Sequence, residues 1–134
     1  MSQPTLLRLS DTALTLSHPE EDVRGRKVID ASGEQIGHVD DLMIDDQEKK
    51  VRFLQVASGG FLGIGRTKVL IPVDVIQKIT PEAVQIDRTR EHVAVSPPYD
   101  PEVTDQPDWS VYYAYYGADP FWAPGYTYPM YPYF

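Results

Sequence analysis

The 134-residue chain contains no cysteine, which removes disulfides, thiolate metal sites and thiol nucleophiles from consideration together. It has no apolar run approaching the ~20 residues of a membrane-spanning helix. The first 23 residues, MSQPTLLRLSDTALTLSHPEEDV, show neither a basic leader nor a signal-peptide core. A chain of this kind is expected in a reducing cytoplasm. Positive charge is scarce at the end: residues 97–134 hold five carboxylates and no lysine or arginine, residues 25–96 are nearly balanced at ten basic and eleven acidic, and the whole chain carries −8. No segment has the concentrated basic stripe that phosphate-backbone binding requires, which argues against nucleic acid as a direct ligand. Tyrosine is absent from the first 98 residues; all nine lie at or beyond Tyr99.

Hydrophobic residues make up 42% and charged residues 24%, ordinary values for a single globular domain. Residues 1–24 mix leucines with turn-forming and charged residues, and Pro4 and Pro19 confine any helix between them to a short one, so this segment reads as an arm. From Gly25 onward, short β-rich runs alternate with turn signals, the pattern of an all-β barrel or sandwich. Strands are expected near 26–30, 35–45, 51–57, 67–72, 74–79 and 84–87. Ala31–Glu34 is a tight turn in which Gly33 supplies a positive φ, and Asp45–Glu48 is a second polar turn. Within 35–45 the apolar parity slips between Val39 and the pair Leu42 and Ile44, which predicts a β-bulge near Asp40 and Asp41. The run VRFLQVA at 51–57 is apolar on both faces, with Val51 and Phe53 expected on one and Leu54 and Val56 on the other, so it belongs at the centre. Thr89 is placed to cap a short helix reaching about Val95, ended by Pro97 and Pro98. The expected core comprises Val28, Val39, Leu42, Ile44, Phe53, Leu54, Val56, Leu70, Ile71 and Ile76.

The glycine-rich stretch GGFLGIGR, residues 59–66, superficially suggests a phosphate cradle. A dinucleotide fingerprint is G-x-G-x-x-G opening a helix whose N-terminal amides hold pyrophosphate. Here the order is reversed and a strand-like TKVLIP follows, with no Gly-Lys-Ser/Thr to make a P-loop. What remains is a hairpin loop in which Phe61, Leu62 and Ile64, with Arg66, either fold over the end of a barrel or form a contact patch.

Five segments carry a resemblance to a known family: G-x-x-V-x-D at Gly25–Asp30, SGEQIGHVDDLMID at 32–45, VRFLQV at 51–56, GGFLGIGRTKVLIPVDVI at 59–76 and TREHVAVSPPYDP at 89–101. In that order and spacing they resemble the PRC-barrel domains of the photosynthetic reaction-centre H subunit and of a ribosome maturation factor, from about Val23 to Asp100. The resemblance implies a small, partly open β-barrel of about six strands with a short C-terminal helix, acting in docking and assembly rather than catalysis. Stand-alone bacterial and archaeal members are small, sometimes homo-oligomeric, and sometimes linked to stress response. The chain divides on this reading into an arm (1–24), a barrel domain (25–98) and an aromatic tail (99–134).

Local motifs for chemistry are sparse. The acidic run at 38–49 lacks EF-hand spacing and reads as a solvated hairpin surface. His18, His38 and His92 are dispersed without a ligand spacing, and Ser58-Gly59-Gly60 lacks the leading glycine of a nucleophile elbow. No catalytic residue, metal or cofactor is expected. The tail is the unusual feature, with 12 aromatic residues among the 26 from Trp109 onward, and the family pattern does not account for it. It either docks on its own barrel or a sister subunit, or is a mobile proline- and tyrosine-rich segment that orders on a partner. Prolines 120, 124, 129 and 132 exclude a long helix there and favour extended or polyproline segments. Trp109, Tyr112, Tyr113, Tyr115, Tyr116, Phe121 and Trp122, together with Phe61, Leu62, Ile64 and Arg66, are therefore the expected contact residues for self-association or for an unidentified protein partner. The competing class is a small-molecule or nucleic-acid binding module using a pocket between tail and barrel, although the tail has stacking rings without the positive groove of single-strand binders.

Overall fold

A computed structural model describes residues 3–12, 19–57, 68–97, 99–100, 104 and 106–133. The spine is an eleven-residue strand, β3 (Gln35–Asp45), whose length lets it serve several partners. β4 (Val51–Ala57) runs antiparallel along one edge. On the other edge β2 (Lys27–Ile29) pairs with its first half and β1 (Leu6–Arg8) with its last three residues. β5 (Lys68–Pro72) lies beside β4, while β6 (Ile76–Ile79) and β7 (Ala83–Ile86) form a hairpin joined to β2 in parallel through β7. The seven strands make one sheet in the order β5-β4-β3-β2-β7-β6, with β1 on β3. The sheet is mostly β and curls into a partly open barrel without closing. α1 (Arg90–Ala94) follows β7, and α2 (Trp109–Tyr116) lies in the tail.

The strands follow from the sequence pattern, and all ten expected core residues are buried. The anticipated bulge is present: the β3–β4 register shifts between Val39 and Asp41, which keeps Val39, Leu42 and Ile44 in the same interior cluster despite their unequal spacing. Gly33 adopts φ +91°, the left-handed region that an added side chain resists. Asp30 organises the same turn, accepting from Ser32 and Glu34 N–H groups and, across the fold, from Arg90 N–H at 2.8 Å. Burial alone would raise this carboxyl, yet the Ser32 hydroxyl and the Arg90, Glu34 and Ser32 amides together hold it below the ordinary carboxylate range.

Three expectations change. The segment read as an arm contributes β1, whose Leu6, Leu7 and Arg8 pair with Asp45, Ile44 and Met43. The run at 74–79 begins as a 3₁₀ turn (Val73–Val75) before β6, because Pro72 cannot continue the ladder as a donor. In β4, Val51 joins Leu54 and Val56 in the interior cluster instead of sharing a face with Phe53. A second register shift explains this: Ile44 opposes Val51 and Met43 opposes Phe53, leaving Arg52 as the extra residue. The bulge interrupts alternation, so Arg52 and Phe53 both meet the tail.

Candidate docking surface

Two packed layers result. Inside the barrel lies the aliphatic core; on the outer face Leu6, Met43, Phe53 and Leu70 form a second cluster with Tyr99, Trp109, Tyr112 and Tyr113. α2 is the element that completes it. Asp108 caps its start by accepting from Ser110 N–H, and Gly117 ends it in the left-handed region at φ +71°. Trp109, Tyr112, Tyr113 and Tyr116 recur at helical spacing on one side and are buried. Phe53 sits at their centre, its ring centroid 4.8 Å from Tyr113, 6.0 Å from Trp109 and 6.1 Å from Tyr112, separations at which aromatic pairs attract beyond their buried area. Tyr115 stacks on His92 at 4.5 Å and donates to its carbonyl.

The tail entry also seals the edge strand. Gln106 donates to the Leu6 carbonyl and accepts from Leu6 N–H at 3.1 Å, while Gln3 donates to the Pro107 carbonyl and accepts from Trp109 N–H at 2.8 Å. The Gln106 amide thus does for Leu6 of β1 what a further strand would do, and the Gln3 amide satisfies the Pro107 carbonyl and the Trp109 N–H at the start of α2 in the same way.

Beneath the second half of the tail is a buried ion pair. Arg52, 2% exposed, donates from Nε to Asp45 Oδ2 at 2.8 Å. Its guanidinium lies 4.1 Å from the Phe121 ring centroid and 5.2 Å from that of Tyr128, and Lys50 Nζ lies 4.9 Å from Tyr128. Burial would raise the Asp45 carboxyl, but the Glu48 amide, Arg52 and the Lys50 amide hold it below the ordinary range. The acidic run is therefore not a uniformly solvated surface. Asp45 is 1% exposed. Asp41 is 4% exposed and accepts from the backbone and hydroxyl of Ser10, because the N-terminal segment passes over it. Asp40 stays nearer solvent and accepts from Lys68 and Gln55.

Over residues 117–133 the chain has no helix or strand, and its tyrosines hold it down by their hydroxyls. Tyr126 donates to Asp74 Oδ2 at 2.7 Å, Tyr128 to the Val51 carbonyl at 3.0 Å, Tyr131 to the Glu21 carbonyl, and Tyr133 to Glu20 Oε1 at 2.7 Å. Burial pushes the Tyr126, Tyr128 and Tyr131 phenols upward, keeping them as donors. Asp74 behaves oppositely to Asp45: burial raises its carboxyl and outweighs the Tyr126 hydrogen bond. It lines an open cleft of about 370 Å³ at the seam between barrel and tail, with Asp87, Arg88, Asp119 and Tyr126.

Of the expected contact residues, the structure brings Trp109, Tyr112, Tyr113 and Tyr116 together against the barrel, leaves Tyr115 and Phe121 half-buried, and leaves Trp122 37% exposed. Phe61, Leu62, Ile64 and Arg66 lie outside the described residues. The anchors Arg52, Asp45, Asp74, Tyr126, Tyr128 and Tyr131 were not anticipated. The visible signals for them were a lone arginine inside an apolar strand and the spacing Tyr126-x-Tyr128-x-x-Tyr131-x-Tyr133. Among the described residues no group of three or more histidine or carboxylate side chains is arranged to hold a metal ion, and no helix is long and apolar enough to cross a membrane.

Comparison with protein families matches residues 20–93 to the PRC-barrel domain. The match covers more than half of the chain, from the turn before β2 through most of α1, and the chain belongs to the PRC-barrel family. No curated protein matches it. The aromatic tail lies beyond the matched segment.

Proposed function

We propose that this chain is a non-enzymatic assembly module, a PRC barrel that docks to protein partners including copies of itself, with the tail as the contact element. The observation that carries the reading is where apolar surface remains. Among the described residues the exposed large hydrophobic side chains are Val95, Val111, Trp122, Met130 and Tyr133, and four of these five belong to the tail. The tail thus packs some of its rings on the barrel and leaves other apolar side chains along its length in water. Exposed apolar side chains gathered in one segment suit a contact surface, and tyrosine and tryptophan are preferred anchors there. The 59–66 loop, with Phe61, Leu62, Ile64 and Arg66, belongs to the same proposal as a second contact. Location in the cytoplasm and division into arm, barrel (25–98) and tail complete it.

The test replaces Val111, Trp122 and Met130 together by serine and compares sedimentation with the parent chain. These side chains are 46%, 37% and 72% exposed, and Trp122 also meets the Tyr113 and Phe121 rings at 5.9 and 5.0 Å, so the barrel should stay folded with a modest fall in melting temperature while association weakens by about tenfold or more, the factor that ~1.4 kcal/mol carries. Identical sedimentation at every concentration would contradict the assignment.

A further inference from the structure

The ribbon formed by residues 118–133 is held to the barrel almost entirely by groups from elsewhere in the chain. Its four hydroxyl donors meet Asp74, Val51, Glu21 and Glu20, and its rings meet Arg52 and Lys50. The barrel face therefore offers a row of acceptors and a cationic bed matched to an extended Tyr-x-Tyr-x-x-Tyr-x-Tyr segment. The ribbon leaves α2 through Gly117 at φ +71°, and because glycine reaches other backbone regions without steric cost, a change of direction there gives up the Ala118 N–H bond to the Tyr113 carbonyl and strains no side chain of that residue. Only one of its side chains, Asp119, is charged, although the whole chain carries −8. The ribbon is thus the part of the molecule that can enter another copy's surface with least repulsion.

We infer that the barrel face is a receptor for this ribbon in trans as well as in cis, and that two copies exchange residues 118–133 by pivoting at Gly117. The inference rests on the self-association proposed above and names the segment that carries it. Every hydroxyl and cation–π contact of the closed form is remade in the exchanged pair, so the two forms differ chiefly in the pivot and in the entropy of association. The intramolecular ribbon enjoys a high effective concentration, which makes exchange a function of protomer concentration. Repulsion between two chains that each carry −8 also makes it stronger in salt.

The absence of cysteine permits a direct test in the full-length chain. Glu20→Cys and Tyr133→Cys place thiols at the outermost contact, leaving the three inner hydroxyl anchors intact. The doubly substituted chain, treated with a short bis-maleimide, should close within one chain and confirms that the ribbon is docked. The two single variants are then mixed, warmed below the melting temperature to release the ribbon, cooled and cross-linked. Exchange predicts an interchain product that rises with protomer concentration while light scattering moves from one protomer mass towards twice that mass. Removing the inner donors with Tyr126→Phe, Tyr128→Phe and Tyr131→Phe should lower the intrachain and interchain products together. Intrachain closure with no interchain product at any concentration overturns the exchange. If oligomers are then still seen by light scattering, assembly proceeds through other surfaces; if only monomers are seen, the assembly reading falls as well. Cross-linking indifferent to the three phenylalanine substitutions overturns the role given to the hydroxyls.

Discussion

Arg52 shows how one residue ties the two layers together. It is the extra residue of a bulge, it neutralises Asp45, and it supplies the surface on which Phe121 and Tyr128 rest. Removing one partner of a buried pair leaves an uncompensated charge, so Arg52→Ala should cost about 3–5 kcal/mol, read by urea denaturation; a loss below about 1 kcal/mol, the range of exposed pairs, would show the pair to be solvated. The buried carboxylates have opposite pH signatures. Asp30 and Asp45 are held below the ordinary range, so their contribution is present at neutral pH and is lost as pH falls through their folded values. Asp74 is raised, so its contribution is complete below the ordinary carboxylate value of 3.8 and is lost as pH rises through the raised one. Asp74→Asn, which retains an acceptor for Tyr126, should therefore raise the melting temperature at pH 7 and change it little at pH 4. Equal effects at both values would contradict the burial of this carboxyl.

At the scale of elements, α2 is where sequence and structure part most clearly. Its ends are written plainly, with Asp108 as N-cap and Gly117 as left-handed terminus, but its eight residues are nearly all aromatic or apolar, and periodicity cannot separate faces in such a run. The prolines limit the helix, as expected, without preventing it. By contrast the barrel strands, the β3 bulge, the Gly33 turn and the Thr89 cap were legible, because alternation, glycine and cap chemistry act over a few residues. Arg52, β1 and the Tyr126–Tyr133 anchors were not: β1, the tyrosine anchors and the rings over Arg52 depend on partners tens of residues away, and the Arg52–Asp45 pair depends on a bulge that alternation does not reveal. Thr89 accepts from His92 N–H, and Thr89→Ala should cost about 1 kcal/mol; no change in melting would mean that α1 stands without its cap. Trp109→Ala, by removing a fully buried ring from the outer cluster, should cost about 3–5 kcal/mol, visible as a lower denaturation midpoint. A loss near that of an ordinary surface substitution would show that α2 does not pack as described.

For the whole molecule, the barrel and tail are mutually dependent. The family supplies residues 20–93, but in this chain the outer face of β3, β4 and β5 presents Met43, Phe53 and Leu70, which the tail must cover. The arm and tail secure each other through Gln3 and Gln106. The proposed assembly would act through a segment that first stabilises its own protomer, and tyrosine, whose ring packs while its hydroxyl finds an acceptor, suits both tasks. The measurement that bears most directly on the central claim is the solution molar mass of the full chain by light scattering over a dilution series. The account predicts a mass that rises above the 15.2 kDa protomer as concentration increases, more steeply in salt. A mass of 15.2 kDa at every concentration and ionic strength would contradict it.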